Sequence, residues 1–202
     1  MKLRPSPPPA KICGECRACC VDLQIDTPEF QKNARILCPH HTGSGCGIYA
    51  TRPKVCREFL CGWLLFPELG DDWRPDRSGV LILQRAYDQL PPAYQPAGHG
   101  VHLYVTGGEA AIRRPGFAAY VADLVSRGVA VYLDVTTPDA LVNEHVQAMV
   151  AAGDLPAITR TLTHLHRLQL GAWYKKGILR MLPHLYRLYL EKIRAQVKNS
   201  NK

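Results

Sequence analysis

The chain has 202 residues, 47% of them hydrophobic, and a net charge of +8, which suits one fair-sized domain or two small ones with a buried core and excludes wholesale disorder. Apolar runs fall short of the ~18 residues that a transmembrane helix needs. The basic residues Lys2 and Arg4 are followed by prolines and no apolar stretch, so no secretory signal is expected and the expected location is cytoplasmic.

Residues 1–12 are rich in proline, with Pro5 and Pro7 to Pro9, and are expected to form an extended, disordered arm. All eight cysteines follow within residues 13–61. Their successive gaps are two, two, zero, seventeen, seven, nine and four residues. Short steps alternating with longer loops are how chains bring ligands to a metal. The competing reading is a set of four disulfides, but a reducing compartment keeps thiols free and turns such spacing toward metal.

Cys13 to Cys16 and Cys16 to Cys19 are overlapping C-x2-C steps, and the doublet Cys19-Cys20 ends them. On a helix, positions 13, 16 and 20 share a face while 19 points elsewhere. On a loop, C-x2-C makes a knuckle around one ion. Either geometry is expected to splay the doublet and leave one of its thiols for a second site or a redox task. Two four-thiolate sites would use all eight cysteines, and spacing leaves their grouping open.

Residues 21–26 alternate apolar and polar, which predicts a short strand, and Thr27-Pro28-Glu29 reads as a helix start. Cys38-Pro-His40-His41 and a flexible turn lead to Cys46; the two histidines are either replacement ligands or solvated loop residues. Arg52-Pro53 is expected to start a helix carrying Phe59 and Trp63. Arg52 and Arg57, beside Cys56, are placed to lower thiol pKa values or to donate to thiolate sulfur; Arg57 alternatively pairs with Glu58 or faces water.

The combination C-x2-C-x2-C-C, Cys38, Gly45-Cys46 and then Arg52-Pro53-x-x-Cys56-Arg57-x-Phe59-x-Cys61 resembles the bacterial YkgJ-like family of zinc- or iron-chelating domains. The resemblance covers about residues 13–66 and extends toward the Arg74-Pro75-Asp76-Arg77-Ser78-Gly79 stretch. It implies metal binding by Cys13, Cys16, Cys19, Cys20, Cys38, Cys46, Cys56 and Cys61. A similar cluster is part of flagellin lysine methylases, which are longer than this chain and for which an iron–sulfur centre is implied. Independently of the resemblance, thiolate ligation favours zinc, iron–sulfur clusters or copper(I) over calcium and magnesium. Zinc is the first expectation for the cofactor, with iron or an iron–sulfur cluster as the alternative.

Residues 67–78 read as a connecting loop whose acids lack a partnering histidine or motif. Strands are predicted over 79–84, 101–106 and 129–135, with an amphipathic helix over 114–127 stopped by Gly128. Thr137-Pro138-Asp139 is expected to start a further helix ended by Gly153, and Asp154-Leu155-Pro156 another. Thr106-Gly107-Gly108-Glu109 has no phosphate-loop pattern and Asp134 reads as a helix-entry or surface residue, so neither is taken as a site.

The positive charge is gathered at one end. Residues 157–202 hold ten Lys or Arg against the single acid Glu191, a net +9, so residues 1–156 sum to −1. From Ile178, an apolar face of Leu182, Leu185, Tyr189 and Ile193 opposes Arg180, Arg187 and Arg194. This basic helical segment is a core-packing element or a contact for an acidic protein, nucleic acid or an anionic membrane surface over residues 157–198.

The expected fold class is α+β: a cysteine-rich metal-binding lobe over residues 13–66 packed on a small α/β region over 67–155, then a basic helical segment over 156–202. The leading function is a metal-binding protein whose cluster is structural or metal-handling. The alternatives are an iron–sulfur redox protein or enzyme, and a zinc-organised nucleic-acid-binding module. No catalytic constellation stands apart from the cysteines.

Overall fold

A computed structural model describes residues 11–134 and 140–169. Residues 1–10 of the arm and the basic residues from 170 onward lie outside the described residues, as does the expected helix start at 137–139; the last two arm residues, Lys11 and Ile12, are described. The chain mixes helices and sheets. A four-stranded sheet carries the core, and its strands are β3 (Val80–Ala86), β4 (His99–Val105), β5 (Ala130–Asp134) and β6 (Ala140–Leu141), in that spatial order. β3 and β4 pair antiparallel, with Val80 opposite Val105 and Ala86 opposite His99. β4 and β5 run parallel, so a crossover must join them. α5 (Gly108–Arg113) and α6 (Phe117–Ser126) supply it, between the two strands in sequence.

The strand period decides which face is dry. Val80, Ile82, Val101, Leu103, Val105, Val131 and Leu133 have no measurable exposure and form one core with Phe117, Val121 and Leu124 of α6. Val146 of α7 (Asn143–Ala152) and Ile158 and Leu162 of α8 (residues 155–169) complete it. Asn143 is buried because its amide serves two backbone groups, accepting from the Val131 N–H and donating to the Val129 carbonyl, each at 2.8 Å. Gly79 precedes β3 at φ +67°, and a side chain there would meet the Gly107 Cα at 2.8 Å. That close approach lets the Gly79 carbonyl accept from the Thr106 and Gly107 N–H groups, both at 2.9 Å.

The three strands predicted from residue 79 onward are present, each within two residues of its expected bounds. The helix expected over 114–127 is α6, preceded by the separate turn α5; Gly116 at φ +84° divides them. Gly153 ends α7 in the left-handed conformation, and Asp154 caps α8, its Oδ1 accepting from the Ala157 N–H at 2.9 Å.

Two expectations ahead of the sheet are corrected. Residues 21 and 22 end a helix, α1 (Ala18–Asp22), with the Val21 N–H donating to the Arg17 carbonyl at 3.0 Å. Thr27-Pro28-Glu29 is a hairpin turn and not a helix start: β1 (Ile25–Thr27) pairs antiparallel with β2 (Phe30–Lys32). The Thr27 hydroxyl fixes this turn by accepting from the Phe30 N–H at 3.1 Å and donating to the Phe30 carbonyl at 3.0 Å. Further on, α2 (Lys54–Glu58) and α3 (Gly62–Leu65) replace the single helix expected after Pro53, and α4 (Pro75–Ser78) occupies part of the expected loop. Phe59, Leu60, Trp63, Leu64 and Phe66 pack on the sheet core and attach the cysteine-rich region to it. Among the described residues, no helix is long and apolar enough to cross a membrane.

Candidate metal centre

Each cysteine is placed by a short local device. Cys13 to Cys16 is a tight turn, closed by the Cys16 N–H donating to the Cys13 carbonyl at 3.0 Å, with Gly14 at φ +53°. Cys19 and Cys20 lie on α1. The Cys38 N–H donates to the Cys20 carbonyl at 2.9 Å and the His41 N–H to the Cys38 carbonyl at 3.0 Å. His41 then forms an isolated β-bridge with Cys46, so Cys38 and Cys46 bracket one small loop. Cys56 sits on α2 behind Pro53, and Cys61 caps α3, its carbonyl accepting from Leu64 and Leu65 at 3.0 and 3.1 Å.

Seven of the eight cysteines, Cys13, Cys16, Cys19, Cys20, Cys38, Cys46 and Cys56, line one cavity of about 290 Å³. His40, His41, Lys32 and Arg52 line it too. Cys61 is buried in the core outside that lining. All eight thiols are free, so the disulfide reading is not realised here. Among the described residues, no group of three or more His, Cys, Asp or Glu side chains stands ready to hold an ion as placed. The sulfurs surround a common space without converging in it.

Burial pushes the Cys13 thiol up to about 11, helped by the Cys61, Cys16 and Cys20 sulfurs and opposed by Arg52. Cys56 is raised by burial and then by Cys38, Cys20 and Cys46. Cys16 and Cys61 are raised by burial as well, but backbone N–H groups pull the other way: Ala18 and Asp76 at Cys16, Leu64 and Trp63 at Cys61. Gathering these sulfurs as anions is unfavourable without a compensating cation, and a bound metal inverts that balance. Eight free sulfurs, two of them served by backbone donors, fit an ion that prefers thiolate over oxygen.

The doublet departs from expectation. Cys19 and Cys20 are not splayed; the Cys19 thiol donates to the Cys20 sulfur, which raises Cys19 and lowers Cys20. Lys32 and Arg52 also lower Cys20. Arg52 acts on the cavity as anticipated, and its guanidinium lies 3.6 Å from the Tyr49 ring. Arg57 instead donates to the Arg52 carbonyl at 2.5 Å and so holds its neighbour's backbone, while Glu58 lies 3.9 Å from Lys54.

Three contributors escaped the sequence reading. Lys32 is buried, and its ammonium donates to the carbonyls of Val21, Asn33 and Ile36 at 2.9, 3.0 and 2.7 Å. Lys11 donates to the Trp63 and Phe66 carbonyls at 3.0 and 2.7 Å, tying the residue ahead of the first cysteine turn to α3. Asp76 accepts a hydrogen bond from the Cys16 thiol, and the Arg74 fork, at 2.7 and 2.8 Å, holds its carboxyl below the usual carboxylate range. Between residues 11 and 60, Ala18 and Lys32 are the buried positions. This stretch has almost no apolar interior of its own.

Elsewhere, Arg113, Arg160, Arg167, His164, Thr159 and Thr163 line a surface hollow of about 280 Å³. Glu109 pairs with Arg113 at 2.9 Å and with Arg167, which offsets part of its charge. No family model matches the chain, and neither a curated protein nor a solved structure is significantly similar to it.

Proposed function

We propose that residues 13–61 form a thiolate metal centre, with Cys13, Cys16, Cys19, Cys20, Cys38, Cys46, Cys56 and Cys61 as ligands, as in the YkgJ-like family that the motif resembles. Zinc is the first candidate, in a structural or metal-handling role, and iron or an iron–sulfur cluster is the alternative. The carrying observation is that seven cysteines from a turn, two helices and a loop line one cavity. Thiols confined to one stretch by sequence alone have no reason to share a space.

The poverty of the apolar interior supports the same reading. A stretch that buries Ala18 and Lys32 and little else lacks the hydrophobic burial that holds most folds together. Bound zinc supplies positive charge against the thiolates and crosslinks separate loops, whereas an iron–sulfur cluster adds electron transfer. The chain's own contribution is to place the sulfurs and offset their charge, with Lys32 and Arg52 beside Cys20 and backbone N–H groups at Cys16 and Cys61. Free thiols go with a reducing, cytoplasmic location. A zinc-organised nucleic-acid-binding module using the basic C-terminal segment is the second alternative; of that segment's basic residues, Arg160 and Arg167 are described, and Arg167 pairs with Glu109.

The test is elemental analysis with an absorption spectrum on anaerobically prepared full-length protein. A colourless protein holding zinc, with its thiols shielded from reagent, is expected; brown protein holding iron selects the alternative. Metal below stoichiometric amounts, with every thiol titratable, overturns the proposal.

A further inference from the structure

Three arginines line the surface hollow between α5 and α8. Thr159, Arg160, Thr163, His164 and Arg167 recur at the spacing of successive turns and so share one face of α8, while Arg113 closes the hollow from the end of α5. Glu109, one turn before Arg113, accepts from Arg113 Nη2 at 2.9 Å and from Arg167 Nη2 at 2.8 Å. One carboxylate therefore holds guanidinium groups from two helices beside each other. Each keeps N–H groups to spare, because a guanidinium has five and Glu109 engages one from Arg113 and two from Arg167. Arg160 is exposed and has no carboxylate partner among the described residues. The Thr159 and Thr163 hydroxyls donate to the Leu155 and Thr159 carbonyls at 3.1 and 2.8 Å, which leaves the arginines and the His164 ring to supply the donors that a ligand would meet.

We propose that this hollow binds the dianion of a phosphate monoester. Three guanidinium charges stand against the single charge of Glu109, a balance of +2 that the two charges of one such phosphate cancel. A phosphodiester brings one charge per phosphate and a carboxylate brings one, so either leaves the hollow positive. The planar guanidinium fork meets phosphate oxygens two at a time, a geometry that suits an arginine-lined site to this group. A volume of about 280 Å³ lies at the small end of ligand pockets and suits a phosphate with a short attached part. None of the residues lining the hollow lines the cysteine cavity, so the assignment does not rest on the metal reading.

The experiment titrates full-length protein with inorganic phosphate and with phenyl phosphate, followed by calorimetry in chloride at constant ionic strength and at a pH where both are dianions. One saturable site is expected. Arg160→Ala should weaken it about tenfold, the effect of losing one charge-assisted hydrogen bond, and Arg113→Gln should weaken it by a similar factor. Arg160 is exposed and bears no ion pair, so its replacement should keep the fold and decides the test if Arg113→Gln does not fold. Tighter binding of phenyl phosphate assigns the site to a phosphorylated organic molecule and equal affinity assigns it to phosphate itself; both support it. Absence of a saturable site, affinity unchanged by Arg160→Ala, or loss of binding in folded protein freed of metal overturns the proposal. An oligonucleotide without a terminal phosphate that binds more tightly than phenyl phosphate and depends on Arg160 overturns it too, and gives the hollow to phosphodiesters.

Discussion

Between Val80 and Leu165 the strands and helices bury a continuous apolar core, with Val80, Ile82, Leu103, Phe117 and Leu162 at zero exposure. From residue 11 to residue 60 the chain buries Ala18 and Lys32, and leaves Ile12, Ile36, Leu37 and Tyr49 exposed. The first region is held by removing apolar surface from water, at about 25 cal/mol per Å². The second is held by turns, a hairpin and two lysines that cap carbonyls. Such hydrogen bonds contribute about 1 kcal/mol each, whereas ordering each residue's backbone costs about 1–2 kcal/mol. Local bonding does not offset that cost over such a stretch. The difference teaches where the cysteines belong in the energetics: all but Cys61, which is buried in the core, stand where the apolar core is missing.

If the stretch holds the metal proposed above, the largest expected effect comes from taking that metal away. A structural zinc contributes on the order of 10 kcal/mol to the folding of a small site. Chelation of the reduced protein should strip hydrogen-exchange protection from residues 13–60 while β3, β4 and β5 keep theirs. Loss of protection in the sheet at the same step would make the two regions one cooperative unit and end the comparison. Protection that persists over 13–60 after complete chelation would show that the stretch holds itself.

The reciprocal perturbation is smaller. Phe117 is fully buried, and its ring stacks on Trp73 with centroids 6.3 Å apart. Phe117→Ala should cost about 3–5 kcal/mol, the range for an aromatic cavity in a core. The denaturant midpoint read by tryptophan fluorescence should fall, while the folded variant binds the same number of cobalt equivalents. A loss of cobalt binding in protein that is still folded would show that the cysteine region depends on this core for more than an anchor.

Legibility in the sequence follows the same divide. The strands were readable because one dry face imposes a period of two, and Gly153 and Asp154 were readable because helix ends demand their chemistry. The cysteines stood out by type and spacing, which nominated all eight without grouping them. What escaped was non-local or set by a single side chain. Asp76 meets Cys16 across sixty residues of chain, and nothing near either one announces it. Lys32 lies in a polar stretch and reads as a solvated cation until three carbonyls converge on it. The hairpin at Pro28 was mistaken for a helix start because Thr-Pro-Glu suits both, and the Thr27 hydroxyl decides between them.

The smallest expected effect probes the seam where the regions touch. Gly62 follows Cys61 and opens α3 against β3; a Cβ there would stand 2.7 Å from the Ile82 Cβ and 3.0 Å from Phe66 Cε2, and nearer still to Ile82 Cγ2. Ile82 is fully buried and β-branched, so it has no free rotamer into which to retreat. Gly62→Ala must therefore lift α3 from the strand, at about 1–3 kcal/mol for overpacking. Moving α3 moves Cys61, while the loops bearing Cys20, Cys38 and Cys46 are tied by bonds that do not involve this helix. Cobalt titration of the reduced, metal-free protein should then show weaker binding than the unaltered chain. Unchanged binding would mean that Cys61 takes no part in holding the ion, and the line between the regions would have to be redrawn to leave Cys61 with the sheet.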